Sequence, residues 1–160
     1  MALDYPAPAV RLRRAGPQDV RAVFGVSNDP VVRANSIHRE PIAWETHAAW
    51  FNRAIADPDV VFFVAETEPG GDFVGQIRFN RRADQWLVSI SIASAYRGRG
   101  LAKALLLDAM SRVPQETFVA EIAESNTASI RLFASAGFSE DPSGTAPSGF
   151  KTFKKAANAW

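Results

Sequence analysis

The stretch Ser89-Ile90-Ser91-Ile92-Ala93-Ser94-Ala95-Tyr96-Arg97-Gly98-Arg99-Gly100-Leu101-Ala102 decides the fold. Its first part belongs to a strand running from Trp86 to Ala93. Its end opens a helix whose Leu101, Ala102, Leu105, Leu106 and Ala109 form a broad apolar stripe. A strand that ends in Arg97-Gly98-Arg99-Gly100 and feeds a helix frees the backbone from Cβ clashes, turns amide hydrogens into one pocket and adds the positive end of a helix dipole. The product is an anion site, shaped mainly by amides and supplemented by the charge of Arg97 and Arg99. Two other phosphate loops fit poorly. The dinucleotide pattern needs a third glycine where Lys103 stands, and the Gly-Lys-Ser/Thr of a P-loop is absent.

Upstream of this stretch, Val10-Arg11-Leu12-Arg13 reads as a first strand. Pro17-Gln18-Asp19-Val20 opens a helix carrying Val20, Val23 and Phe24, which Asn28-Asp29-Pro30 interrupts. Trp44, Ala48, Phe51 and Ile55 recur at helical spacing, predicting a helix over 44–56 that ends at Asp57-Pro58-Asp59. The strands predicted over 60–66, 73–80 and 86–93 form an antiparallel meander. Downstream come a strand over 117–123 and a helix over 126–136 that stops at Gly137. A Pro-, Ser- and Gly-rich loop over 141–149 then leads to a short strand near 150–153. The chain therefore divides into an arm at 1–9, one α/β domain at 10–155 and a tail at 156–160, the domain being a mixed, mostly antiparallel sheet with flanking helices.

Composition narrows the function classes. The chain has 160 residues, 47% hydrophobic and 22% charged, which suits one compact domain. A formal charge of +1 with scattered Lys and Arg does not mark a nucleic-acid binder. There is no run of apolar residues long enough to span a membrane and no signal-peptide pattern at the start, so the expected location is the cytoplasm, with no membrane partner. Cysteine is absent and the only histidines are His38 and His47, which removes thiolate chemistry and leaves no expected metal site.

The glycine segment resembles the pyrophosphate loop of the GNAT N-acetyltransferases, Arg/Gln-x-x-Gly-x-Gly/Ala, in Arg97, Gly100 and Ala102. Ser89-Ile90-Ser91-Ile92-Ala93 is similar to that family's splayed strand, whose main chain holds the pantetheine arm. Asn126-Thr127-Ala128-Ser129-Ile130-Arg131-Leu132-Phe133, with Gly137-Phe138, is similar to its second cofactor motif. The order of elements matches as well. The resemblance implies the GNAT acyl-CoA N-acyltransferase fold, acetyl-CoA as cosubstrate, and N-acetylation of a primary amine by direct attack in a ternary complex. The cofactor contacts it implies are Ile90, Ser91, Ile92, Ala93, Arg97, Gly98, Arg99, Gly100, Leu101, Ala102, Asn126, Ser129 and Phe133. Asn126 also suits a helix cap.

One departure concerns the acid. Many members place a tyrosine where Phe133 stands, and phenylalanine donates no proton. Tyr5 and Tyr96 are not obviously placed, so water or the modest basicity of the thiolate takes that role. An ammonium has no lone pair for attack on a thioester, so a group must accept its proton. His47, on the helix expected to flank the acceptor, is the first candidate and Glu121, on the strand beside the cofactor strand, the second.

A narrower resemblance addresses the acceptor. Asn35-Ser36, Glu45-x-His47-x-x-Trp50-Phe51 and Gly75-Gln76-Ile77-Arg78-Phe79 are similar to the acetyltransferases of pseudaminic and related nonulosonic acid biosynthesis, which acetylate the 4-amino group of a UDP-linked amino sugar. A nucleotide sugar needs a cation, a flat surface and polar groups. The candidates are Arg33 or Arg78, Trp50 or Trp44, and Asn35 or Gln76. The alternatives are a protein N-terminus, a small amine, or a domain that binds acyl-CoA without catalysis. A homodimer is compatible with a domain of this size, although no residue specifies one.

Overall fold

The computed structural model describes residues 8–157. It begins with strand β1 (Val10–Arg14), a 3-10 turn at Pro17–Asp19, and helices α1 (Val20–Ser27), α2 (Pro30–Ala34) and α3 (Trp44–Ala56). Strands β2 (Val60–Thr67), β3 (Phe73–Arg82) and β4 (Gln85–Ile92) follow, then a 3-10 turn at Ser94–Tyr96 and helix α4 (Leu101–Ser111). The remaining elements are β5 (Thr117–Ala123), α5 (Thr127–Ser135), β6 (Ser139–Glu140) and β7 (Phe150–Lys155).

The strands form one sheet in the order β1-β2-β3-β4-β5-β7-β6. Every neighbouring pair is antiparallel except β4 and β5, which pair in parallel only from Gln85 opposite Thr117 to Leu87 opposite Val119. Both strands continue beyond that point without pairing to each other, so the sheet opens into a V whose walls are the second half of β4 and the second half of β5. This is the mixed sheet with flanking helices that the sequence predicts.

Strand alternation gives each face its own core. On one face Ile77, Phe79, Trp86, Val88, Phe118, Ala120 and Ile122 pack under Leu105, Leu106 and Met110 of α4 and Phe133 of α5. Phe79 is the hub, edge-on to Phe63, Trp86 and Phe118, with ring centroids 6.0–6.4 Å apart. On the other face Phe62 and Val64 pack under Val23 of α1 and Phe51 of α3. That second cluster contains no residue of β4, β5 or β7. Over β7 this face meets the 141–149 loop instead: Gly144 lies so close to Thr152 that an added Cβ would overlap its side chain.

Three local features depart from the sequence-based expectation. Asn28-Asp29-Pro30 does not merely break α1. Asp29 accepts from Val31 N–H at 2.9 Å and starts α2, with Pro30 in the first turn where its missing N–H costs nothing. The two-residue β6 went unpredicted because it carries no alternation of its own and exists only by pairing with β7. β3 and β7 each run two residues further than expected, through Arg82 and Lys155.

Candidate functional site

Gly98 and Gly100 have φ of 73° and 74°, in the left-handed region that disfavours side chains, and Gly100 is the N-cap of α4. No side chain caps that helix start, and a Cβ at either glycine would meet nothing within 4 Å. The first-turn amides of α4 therefore have no capping side chain, and the positive end of the helix dipole lies with them, a short turn beyond the end of β4. These residues fit a pyrophosphate. Beyond Leu87 the β4 edge that faces β5 is unpaired with it, so an extended amide-bearing arm can lie along Ile90 to Ile92; within this stretch Ile92 O already accepts from Arg97, and Ala93 N–H donates to Val74 O.

The two loop arginines do not share one role. Arg99 lies 5.4 Å from the Tyr96 ring centroid and is exposed at the surface. Arg97 turns away from the amides: its Nε donates to Ile92 O at 2.9 Å and its Nη2 pairs with Asp29 Oδ1 at 3.2 Å. Partial burial opposes ionisation of Asp29, but the Val31 N–H and Arg97 outweigh it and hold the carboxyl below the usual carboxylate range. Sequence reasoning missed Asp29 as a partner of the loop. The two residues are far apart in the chain, and the Asn-Asp-Pro run reads as punctuation.

In the second motif, Asn126 caps α5 by accepting from Ser129 N–H at 3.2 Å, while its Nδ2 bonds Ser129 Oγ at 3.0 Å. These two expected cofactor contacts are thus engaged with each other. Phe133 corrects the expectation outright. It is 3% exposed and stands edge-on to Phe138, centroids 4.9 Å apart, so it is core and not a cofactor surface.

His47 is a second correction. It is 1% exposed, its Nε2 is 2.8 Å from Val20 O, and rings of Phe24, Trp44, Trp50 and Phe51 surround it. Nε2 therefore carries the hydrogen and donates it to Val20. Burial pushes the imidazole below 6.5, against the opposing pull of that bond. A ring so enclosed cannot reach an amine, and His47 is a structural residue joining α3 to α1.

Glu121 lies past the point where β4 and β5 part. It alternates with the core residues Ala120 and Ile122, so it faces the side away from α4 and α5. Its Oε1 is ion-paired with Arg82 Nη1 at 2.6 Å. The same face carries Gln76 and Arg78 of β3, opposite Ser91 and Ser89 of β4. Gln76 Oε1 and Thr152 Oγ1 are buried without a hydrogen-bond partner, at a cost of about 1–3 kcal/mol each. Arg78 makes no ion pair among the described residues. Its Nε donates to Asn80 Oδ1 at 2.8 Å, and its guanidinium sits 4.8 Å from the Trp50 centroid and 5.9 Å from that of Phe62. Burial lowers its pKa to about 10, so it remains a cation at neutral pH.

The other acceptor candidates are occupied. Arg33 donates to Ser27 O, His38 O and Ser36 Oγ at 2.7, 2.8 and 3.1 Å, and so braces its own loop. Asn35 Nδ2 bonds Val31 O within α2 at 3.0 Å. Trp44 packs on Phe24 and under Arg21. The structure thus brings Gln76, Arg78, Trp50 and Glu121 to one face and leaves Arg33 and Asn35 as local struts. Among the described residues no cluster of His, Cys, Asp or Glu is arranged to hold a metal, and no helix is long and apolar enough to cross a membrane.

Comparison with known proteins agrees with this geometry. Residues 9–139 match the family model described as the acetyltransferase (GNAT) domain, and the chain belongs to that family of acetyl-CoA-dependent N-acetyltransferases. A spermidine N-acetyltransferase from Vibrio cholerae, crystallised with CoA and spermine, aligns with a TM-score of 0.81 at 18% identity, covering 94% of this chain and 96% of that one. A phosphinothricin acetyltransferase from Sinorhizobium meliloti in complex with AcCoA aligns at 0.76 and 19%, covering 93% and 89%. At such identities these two show the fold alone. A structure described provisionally as a phosphinothricin N-acetyltransferase is 27% identical, with a TM-score of 0.76 over 92% of this chain and 98% of that one. A comparison with curated proteins gives no significant match.

Proposed function

We propose that this chain is a cytoplasmic enzyme that moves the acetyl group of acetyl-CoA to the 4-amino group of a UDP-linked amino sugar. The donor side of this reading rests on the uncapped start of α4 and the left-handed glycines before it. The acceptor side rests on one observation above all: Arg78 is a partly buried guanidinium, 4.8 Å from the Trp50 ring centroid, with no carboxylate partner among the described residues. A desolvated cation of this kind favours an anionic group, which a nucleoside diphosphate supplies and a polyamine does not. Trp50 acts by orienting the guanidinium, and Gln76 lies two residues along β3 on the same face, its Oε1 buried without a hydrogen-bond partner.

The neutral amine attacks the thioester carbonyl carbon. The C–N bond forms as the C–S bond breaks, CoA leaves as a thiolate that takes a proton from water, and the amine gives up its own proton. Glu121 is the group we assign to accept that proton, directly or through water, because it is the carboxylate on this face beside the V and its ion pair engages Oε1.

A second reading, an amino-acid-like amine carrying its own acidic group, is favoured by the 27% identity to the protein described as acting on phosphinothricin. A thiol-release assay with a UDP-4-amino sugar, phosphinothricin, spermidine and an unmodified peptide separates these. The expected result is CoA release with the nucleotide sugar. Spermidine as the preferred acceptor would refute the reading of Arg78, and phosphinothricin would select the second reading. Light scattering on the same preparation tests whether the chain forms a homodimer.

A further inference from the structure

Residues 27–42, which run from the end of α1 to the approach to α3, are locked by side chains into one unit that we take as the acceptor wall. Asn28 closes on Ile42 in both directions, donating to its carbonyl at 3.0 Å and accepting from its N–H at 2.7 Å. Arg33 ties Ser27, Ser36 and His38 together. Asp29 lies near the start of this segment and caps α2. Its pair with Arg97 crosses directly to the donor loop, and Arg97 in turn grips the last residue of β4 through Ile92 O. Between the two lies a cleft of about 150 Å³ lined by Gly25, Asp29, Phe73, Ala93 and Ser94. The acceptor wall is thus fastened to the donor loop at a specific point beside a gap in the packing.

We propose that Asp29 and Arg97 are a positioning pair that carries occupancy of the donor loop to the acceptor wall. Arg97 immediately precedes Gly98, and the two left-handed glycines leave the loop free to shift until its amides are bonded. Anchoring the amides of 98–102 fixes Arg97, which fixes Asp29, and the bonds of Asn28 and Arg33 spread that order over residues 27–42. The inference rests on the donor reading above and is independent of which acceptor is used. It gives Arg97 a role different from neutralising phosphate, consistent with the direction of its side chain.

Hydrogen–deuterium exchange of the full chain with and without CoA tests the pair. The variant is Asp29→Asn, since asparagine also caps helices and so keeps the start of α2 while removing the ion pair. In the wild type CoA slows exchange at the amides of 98–103 and of 31–42. In Asp29→Asn the loop amides remain protected by CoA, with affinity within about fivefold as expected for losing one partly exposed pair, and the CoA-dependent protection of 31–42 disappears. Equal protection of 31–42 in both proteins overturns the coupling. Absence of protection at 98–103 in the wild type overturns the donor reading and the coupling with it, so the two failures are told apart. If Asp29→Asn does not fold, Arg97→Lys serves. It keeps the charge but cannot span Ile92 O and Asp29 together, and unchanged protection of the wall in that variant also overturns the proposal.

Discussion

His47 makes a quantitative prediction because it is a titratable ring inside the core. In the folded chain its pKa lies below 6.5, whereas the unfolded chain titrates near that ordinary value. Between those two values the unfolded state binds a proton that the folded state does not, so stability is fully present above about pH 6.5 and is lost as the pH falls. For as long as the pH stays above the folded-state value, the loss approaches about 1.4 kcal/mol for each unit below 6.5, against a typical total of about 5–15 kcal/mol. Carboxylates do not confound this range. Asp19, whose burial is outweighed by bonds from Arg13 and Gly16, and Glu66, gripped by Arg11 and Arg13, are both held low. Urea unfolding between about pH 7.5 and pH 5.5 measures the slope. Tryptophan fluorescence is a suitable probe, since Trp44 and Trp50 lie 6.1 and 5.7 Å from the His47 ring. His47→Gln can still donate to Val20 O but does not titrate, so it should lose that slope and retain the acetyl-transfer rate. The same slope in both proteins would refute the burial argument. A collapse of rate with stability intact would restore His47 as the base.

Three further outcomes follow from the site. Arg78→Gln should raise KM for an anionic acceptor by about tenfold to a hundredfold, the worth of a charged hydrogen bond, and leave KM for acetyl-CoA unchanged. Steady-state kinetics with both substrates checks this, and an unchanged acceptor KM would remove Arg78 from recognition. Gly100→Ala meets no neighbour, yet at φ 74° it should cost about 1–2 kcal/mol of loop strain, seen calorimetrically as weaker CoA binding; wild-type affinity would contradict the assigned loop conformation. Phe133→Tyr should not speed the reaction. It places a hydroxyl in packed core at a cost of about 1–3 kcal/mol if unbonded, so a lower melting temperature is expected, and a rise in kcat would show instead that the position opens to the thiolate.

The donor side was legible in the sequence because it is local. A strand, two glycines and a helix start are contiguous, and backbone amides supply the chemistry whatever the side chains do. The helix over 44–56 and the strand over 117–123 were likewise readable to the residue, since Trp44, Ala48, Phe51 and Ile55 keep one period and Phe118, Ala120 and Ile122 another. The acceptor side was only partly legible. Arg78 and Gln76 sit two apart on a strand, so their common face follows from alternation. Their lack of partners depends on what β2, β4 and α3 place opposite them. His47, Phe133 and Arg33 were misread for one reason: a polar or aromatic residue on an amphipathic helix gives no sign of whether its tip meets a ligand or a neighbouring main-chain carbonyl. For His47 and Arg33 that carbonyl decides the role, at Val20 and Ser27 respectively.

The V between β4 and β5 explains why donor and acceptor can be specified separately. On β3 and β4 the residues facing α4 and α5, such as Ile77, Phe79 and Val88, are core and must keep their volume. Their alternate neighbours Gln76, Arg78, Ser89 and Ser91 face the other side, where Arg78 lies at the edge of the second core against Phe62 and Trp50 and no residue of β4 joins that core. A substitution at Gln76 or Arg78 therefore leaves the core under α4 and α5 and the glycine loop untouched, while at Arg78 it must respect the contacts with Trp50 and Phe62. The exception is the crossing at Asp29 and Arg97, where a single charge change acts on both sides at once. Acceptor preference should accordingly be tunable at residues 76 and 78 with donor affinity held constant, whereas a change at residue 29 carries a donor-affinity shift of up to about fivefold with it.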